Sequence, residues 1–127
     1  MSETTTGDGG RGTPRHPDCP FCKVVSGDVP ADVIAENERA VAFRDIDPKA
    51  PVHVLVVPRA HHRDVAVLAV ADPESMLAVL ELAGQVAEDH AGGQFRLVFN
   101  SGTRAGQSVW HAHGHVLGGR DFTWPPG

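Results

Sequence analysis

Two cysteines among 127 residues, three positions apart at Cys19 and Cys22, are too few to staple a small secreted fold. Their spacing leaves three readings open: a shared metal ion, a redox pair or two packed thiols. Basic runs are also missing. Eleven Lys and Arg stand against sixteen Asp and Glu, a formal net charge of −5 at pH 7, which excludes a long phosphate-tracking surface and with it a nucleic-acid partner. No apolar stretch approaches the roughly 18 residues that span a bilayer, so no membrane partner is expected. The start, Met1 to Thr6, has neither a basic nor an apolar leader region, and a cytoplasmic location is the expectation.

A chain of this length with 41% hydrophobic residues fits one domain with a modest core. Residues 1–16, rich in Gly, Thr and charge, have little to bury and are expected to form a disordered arm, leaving a single domain over 17–127. A short helix reads from Asp18 as cap to Gly27 as stop. Val33 to Glu36 and Ala40 to Arg44 read as a hairpin across Asn37-Glu38-Arg39. Pro51 to Pro58 is almost continuously apolar and reads as a central strand covered on both faces. Asp72-Pro73 opens one long helix to His90, with Met76, Leu77, Leu80, Ala83, Val86 and Ala87 at helical spacing, and Gly92-Gly93 stops it. Phe95 to Phe99 is a fourth strand. The expected fold is an α/β (α+β) unit: a mostly antiparallel sheet of about five strands, one long helix and one short one.

The fifth strand carries the most informative run, His111-Ala112-His113-Gly114-His115-Val116-Leu117. As a strand it puts three imidazoles on one face about 7 Å apart; as a helix it would turn His113 away. A neutral imidazole is a competent nucleophile toward phosphorus, and its neighbours can hold its tautomer and move protons. An isolated His-x-His is more often a metal or surface pair. Before the run lies a polar, glycine-containing loop, Asn100 to Ser108.

The run resembles the signature of the histidine triad (HIT) proteins, His-φ-His-φ-His-φ-φ with φ apolar. The likeness is closest to their HINT branch of purine nucleoside phosphoramidases and extends from Cys19 to Gly127. It includes Phe43-Arg44-Asp45-Ile46, His53 to Arg59, Asn100, Gly106-Gln107-Ser108-Val109 and the ending Trp124-Pro125-Pro126-Gly127. The resemblance implies a HIT-like fold and a homodimer whose sheet continues across the twofold axis. It implies a nucleotidyl-His113 intermediate, with His111 and His115 beside it, His53, His115 and Asn100 on the phosphate, and Ser108 on the departing atom. Asp45 would anchor the ribose. Phe21, Val24, Phe43, Ile46 and Leu55 would line the base pocket, with Arg44, Gly106, Gln107 and Val109 nearby and Trp124 reaching the partner's site.

The activity so implied is hydrolysis of the P–N bond of purine nucleoside 5′-phosphoramidates, of the AMP-NH2 or AMP-lysine type, with no catalytic cofactor. Alternatives are a dinucleoside polyphosphate hydrolase or nucleotidyl transferase of the same family, a nucleotide-binding protein with weak turnover, and a zinc-dependent hydrolase. Bacterial HIT relatives with a Cys-x-x-Cys pair imply a structural zinc on Cys19, Cys22, His61 and His111. His16 and His90 read as solvated, His62 as a surface residue at a helix entry, and Asp45 as a possible turn cap. Two local departures from the family carry consequences. Ala112 and Gly114 underfill the back of the strand unless a neighbour moves in, and Arg44 is placed to pair with Asp45 and alter ribose affinity.

Overall fold

The computed structural model describes residues 16–127. Apart from His16, the expected N-terminal arm lies outside the described residues. Helices α1 (Pro20–Ser26), α2 (Val65–Ala71) and α3 (Pro73–Ala91) accompany strands β1 (Val33–Glu36), β2 (Ala40–Arg44), β3 (Val52–Pro58), β4 (Phe95–Phe99) and β5 (Gly114–Gly118). The strands form one antiparallel sheet in the order β1-β2-β3-β5-β4. The α+β class and the five-stranded sheet are as expected from the sequence.

β3 lies at the centre of that order, and its alternation divides the core in two. Val54 and Val56 join Ala40, Ala42 and Val116 under Val79, Leu82, Ala83 and Val86 of α3. Leu55 and Val57 join Val41 and Phe43 on the opposite face, under Cys19, Phe21 and Cys22 of the α1 segment. His53 and His115 share that second face, because His115 pairs with Leu55 and His53 with Leu117. The layer above the α1 face is thin, which leaves room for a cleft.

Several local expectations are corrected. Cys19, not Asp18, caps α1, its sulfur accepting from the Cys22 amide at 3.3 Å, while Gly27 ends the helix at φ 83. In α3 the buried face is built from Ser75, Ala78, Val79, Leu82, Ala83, Val86 and Ala87, and Leu77 and Leu80 face outward. Asp72 caps α3 as expected, accepting from Ser75 N. α2 was not foreseen: its valine-rich sequence favours a strand, but Asp64 caps it through Val67 N at 2.9 Å and Leu68 is fully buried.

The histidine run is the main correction. β5 begins at Gly114, so of the three histidines only His115 is in the strand. Ahead of it the chain leaves the sheet, and the Ala112 amide donates to the carbonyl of His62 at 2.7 Å. The gap behind the run is filled by β4: a Cβ on Gly114 would stand 2.9 Å from the ring of Phe99. Among the described residues no helix is long and apolar enough to cross a membrane.

Candidate active site and cysteine-histidine cluster

His113 lies almost buried at the floor of a cleft of about 790 Å³. Its Nδ1 is 2.7 Å from the carbonyl oxygen of His111. A carbonyl can only accept, so the proton sits on Nδ1 and Nε2 carries the lone pair. The ring of Phe21 meets it edge-on at 4.9 Å. Burial pushes the His113 imidazole below its ordinary value, toward the neutral form.

A second chain of bonds fixes His115. The Lys49 amide donates to His53 Nδ1 at 2.9 Å, so the His53 proton is on Nε2, which lies 2.9 Å from His115 Nδ1 and 3.3 Å from Asp45 Oδ2. His115 therefore accepts on Nδ1 and keeps its proton on Nε2. Burial, then the neighbouring His113 and His53, push His115 down to about 4. Asp45, His53 and His115 bring three donor atoms close enough together to suggest a cation site. The Lys49 amide argues against one, because a metal on Nε2 would force a His53 Nδ1 proton against that N–H.

Asp45 is the turn cap expected on one reading of the sequence, and it also lines the cleft. Its Oδ1 caps a turn through the Asp47 amide at 2.8 Å and its Oδ2 lies 3.3 Å from His53 Nε2, and the residue lines the cleft with Phe21, Val24, Phe43, Ile46, Leu55 and Val109. Ile46 is 99% exposed at the rim. Arg44 also lines the cleft, but its guanidinium pairs with Asp32 at 3.1 Å and not with Asp45. Ser108 is exposed and lines both this cleft and an adjoining pocket of about 450 Å³ bordered by Asp18, Arg63 and Trp110. Asn100 lies in a groove of about 390 Å³ with His53, His115 and Pro126, on the other side of Asp45.

Other named residues stand apart from the cleft. The Gln107 amide is occupied by backbone: Nε2 donates to the carbonyls of Arg63 and Val109, and Oε1 accepts from Gly102 N. It braces the loop, as does Ser101, whose hydroxyl donates to Asp64. Gly106 ends the short 3-10 turn of that loop. Trp124 is 80% exposed and lines none of these cavities. His62 is not a surface residue; it is buried, with Nε2 3.3 Å from Asp72 Oδ2. The contributions that sequence reasoning missed, the Lys49 amide and the cleft walls at Pro20, Lys23 and Val29 to Asp32, come from backbone atoms and from residue types with no chemical signature.

His111 points elsewhere. Its ring is fully buried, with Nδ1 3.4 Å from Cys19 Sγ and 3.5 Å from Cys22 Sγ, and Cys22 Sγ lies 3.2 Å from His61 Nδ1. All four donor atoms fall within 4.8 Å of one another. Zinc–sulfur and zinc–nitrogen bonds at a tetrahedral angle imply sulfur-to-nitrogen edges of about 3.5 Å, close to these spacings. His111 Nε2 donates to the Pro58 carbonyl at 2.8 Å, which leaves Nδ1 a lone pair for a metal. The donor set fits a closed, four-ligand zinc site. Its hydrogen bond to Cys22, then those to His111 and His61, hold the Cys19 thiol far below its ordinary range. His16, expected in solvent, stacks on His61 with ring centroids 4.0 Å apart.

Comparison with known proteins agrees with this architecture. Residues 26–122 match the HIT domain. An uncharacterized HIT-like protein of Synechocystis is 45% identical over 111 residues, covering 84% of this chain and 95% of that protein. A 14 kDa zinc-binding protein of Zea mays is 38% identical over 111 residues, 84% of this chain and 86% of its own. Among solved structures, a HIT family hydrolase from Legionella pneumophila superposes with a TM-score of 0.82 at 41% identity, covering 87% of this chain and 100% of that one. Another from Clostridium thermocellum gives 0.81 at 38%, covering 86% and 96%. With a five-stranded antiparallel sheet, a histidine run leading into β5, a HIT domain match over residues 26–122 and these relatives over most of its length, the chain belongs to the HIT family.

Proposed function

We propose that this protein hydrolyses the P–N bond of purine nucleoside 5′-phosphoramidates through a nucleotidyl-His113 intermediate. The observation that carries the reading is the 2.7 Å bond from His113 Nδ1 to the His111 carbonyl, which leaves Nε2 as a neutral lone pair beside a largely apolar cleft with a carboxylate in its wall. The cleft suits a flat base on Phe21, Phe43, Val24, Leu55 and Ile46, and a ribose on Asp45.

In the first step the Nε2 lone pair attacks phosphorus. The P–N bond breaks with its electron pair on nitrogen, and Ser108 relays the solvent proton that completes the amine. The Nε2–H of His115 donates to a phosphoryl oxygen, with His53 holding it in that tautomer and Asn100 alongside. Water then attacks phosphorus, loses one proton to solvent, and the P–Nε2 bond returns its electrons to the ring. Cys19, Cys22, His61 and His111 would hold a structural zinc that ties α1 to the sheet, and the bond-making and bond-breaking steps need no catalytic cofactor. That two of the structurally similar proteins are HIT family hydrolases supports a hydrolytic reading.

A homodimer completes the reading. β4 is a sheet edge, and Leu77, Leu80 and Phe95 are exposed, so a second copy would cover apolar surface and extend the sheet. Trp124 would then contribute to leaving-group selection in the partner's site.

The test is denaturing mass spectrometry after brief mixing with an AMP-amine substrate. A nucleotidyl adduct on the native chain, absent from His113→Ala, is the expected result; hydrolysis without any His113-dependent adduct refutes the reading.

A further inference from the structure

We propose that the Cys19, Cys22, His61 and His111 cluster is a positioning device for the nucleophile, holding both supports of the His113 ring. The inference deepens the reading above and rests on it for the role of His113.

The first support is the His111 carbonyl. His111 faces two ways: its ring belongs to the cluster, with Nδ1 within 3.5 Å of both sulfurs, while its backbone oxygen receives the His113 Nδ1 proton at 2.7 Å. The ring is held on its other edge by the Pro58 carbonyl at the end of β3. Residues 111–113 lie outside β5, so ladder bonds do not fix that carbonyl. The Ala112 amide instead binds the His62 carbonyl, next to the ligand His61. The orientation of the 111 peptide therefore depends on how residues 61 and 62 are tied to residues 111 and 112, and the cluster supplies that tie from the side-chain side.

The second support is Phe21. It lies between the two cysteines in sequence, in a helix capped by one of them. Its ring packs edge-on to His113 at 4.9 Å and to His111 at 6.1 Å. Anchoring Cys19 and Cys22 on His61 and His111 thus presses Phe21 against the nucleophile. One support sets which nitrogen carries the proton, and the other sets the plane of the ring. Losing the cluster would release both together.

The prediction is that a metal-loaded cluster keeps His113 in a single tautomer and that an emptied one does not. Zinc content by mass spectrometry, long-range 15N–1H spectra of the His113 ring and turnover of an AMP-amine would be measured on the native chain, His61→Ala and His61→Cys. His61→Cys keeps a four-ligand set. For His61→Ala we expect loss of zinc, mixed His113 tautomers, and kcat at least tenfold lower with AMP affinity changed less than threefold. His61→Cys should restore zinc, the Nδ1–H tautomer and most of kcat.

The same spectra on the native chain, before and after withdrawal of zinc by a chelator and after its return, cover the case in which His61→Ala does not fold. A folded, zinc-free chain with His113 still in the single Nδ1–H tautomer overturns the proposal, and so does global unfolding on zinc withdrawal, which would make the cluster a fold staple only. A native chain that forms no nucleotidyl adduct counts against the activity reading, while the tautomer comparison still decides this one.

Discussion

His53 donates from Nε2 to Nδ1 of His115 across 2.9 Å, and the backbone amide of Lys49, 2.9 Å from His53 Nδ1, sets the direction of that bond. Two imidazoles are thereby locked in chosen tautomers by one peptide N–H, and under the proposed mechanism the second would donate its remaining N–H to the phosphoryl group. Removing His53 should therefore damage the chemical step more than binding. His53→Ala is expected to lower kcat about 10²-fold, in the range of a lost proton-handling group, with a smaller change in KM; steady-state kinetics on an AMP-amine would show it.

Acid should destabilise the fold. His115 is pushed from 6.5 down to about 4 by burial and by His113 and His53, with Asp45 opposing. Because the folded value lies below the unfolded one, the unfolded chain binds the extra proton between about pH 6.5 and pH 4. Stability is complete above that window and falls as the pH drops through it, on the order of 2 kcal/mol from this residue once partial solvent screening is allowed for. Urea midpoints at pH 7 and pH 5 should differ accordingly, and the difference should shrink in His115→Asn.

Asp45→Asn tests the ribose role. A neutral amide cannot accept from two hydroxyls as well as a carboxylate does. KM for a ribonucleoside substrate should rise about tenfold, with little change for the 2′,3′-dideoxy analogue. An equal rise for both would place Asp45 outside sugar recognition.

Gly114 has no room for a side chain, since a Cβ would stand 2.9 Å from the Phe99 ring and 3.1 Å from Leu97. Gly114→Ala should lower stability by about 1–3 kcal/mol. Phe99→Leu in the same chain should recover part of it, giving a less than additive double-mutant cycle by denaturant unfolding.

Truncation after Asp121 removes Trp124 and the rest of the tail. Leaving-group preference should change while AMP affinity stays within about twofold, read as kcat/KM across a series of amines. An unchanged preference removes Trp124 from the site.

The sequence was legible where a local rule and a burial pattern agreed. The almost continuous apolar run from Val52 to Pro58 and the Asp72-Pro73 start of α3 lead directly to the elements observed. No element is legible in the sequence at Val65 to Ala71, where the valines favour a strand but a capping aspartate and contact with α3 make a helix. Reading failed for the outward Leu77 and Leu80, because several faces of α3 are apolar and only the sheet decides which is covered.

By itself the chain determined which family it resembles and which side chains are candidates for chemistry. Three alternating histidines and a Cys-x-x-Cys pair are residue types that offer lone pairs, metal ligands and proton carriers to any fold that brings them together. Only the tertiary structure decided which nitrogen of each ring carries the proton: His111 Nε2 against the Pro58 carbonyl, His113 Nδ1 against the His111 carbonyl, and His115 Nε2 because its Nδ1 accepts from His53. The reason is physical. Spacing along a strand sets which side of the sheet a ring takes, whereas the ring nitrogens of His111 and His115 meet Pro58, Cys19 and His53, residues about 50 to 90 positions away in the chain, and those partners choose the tautomer.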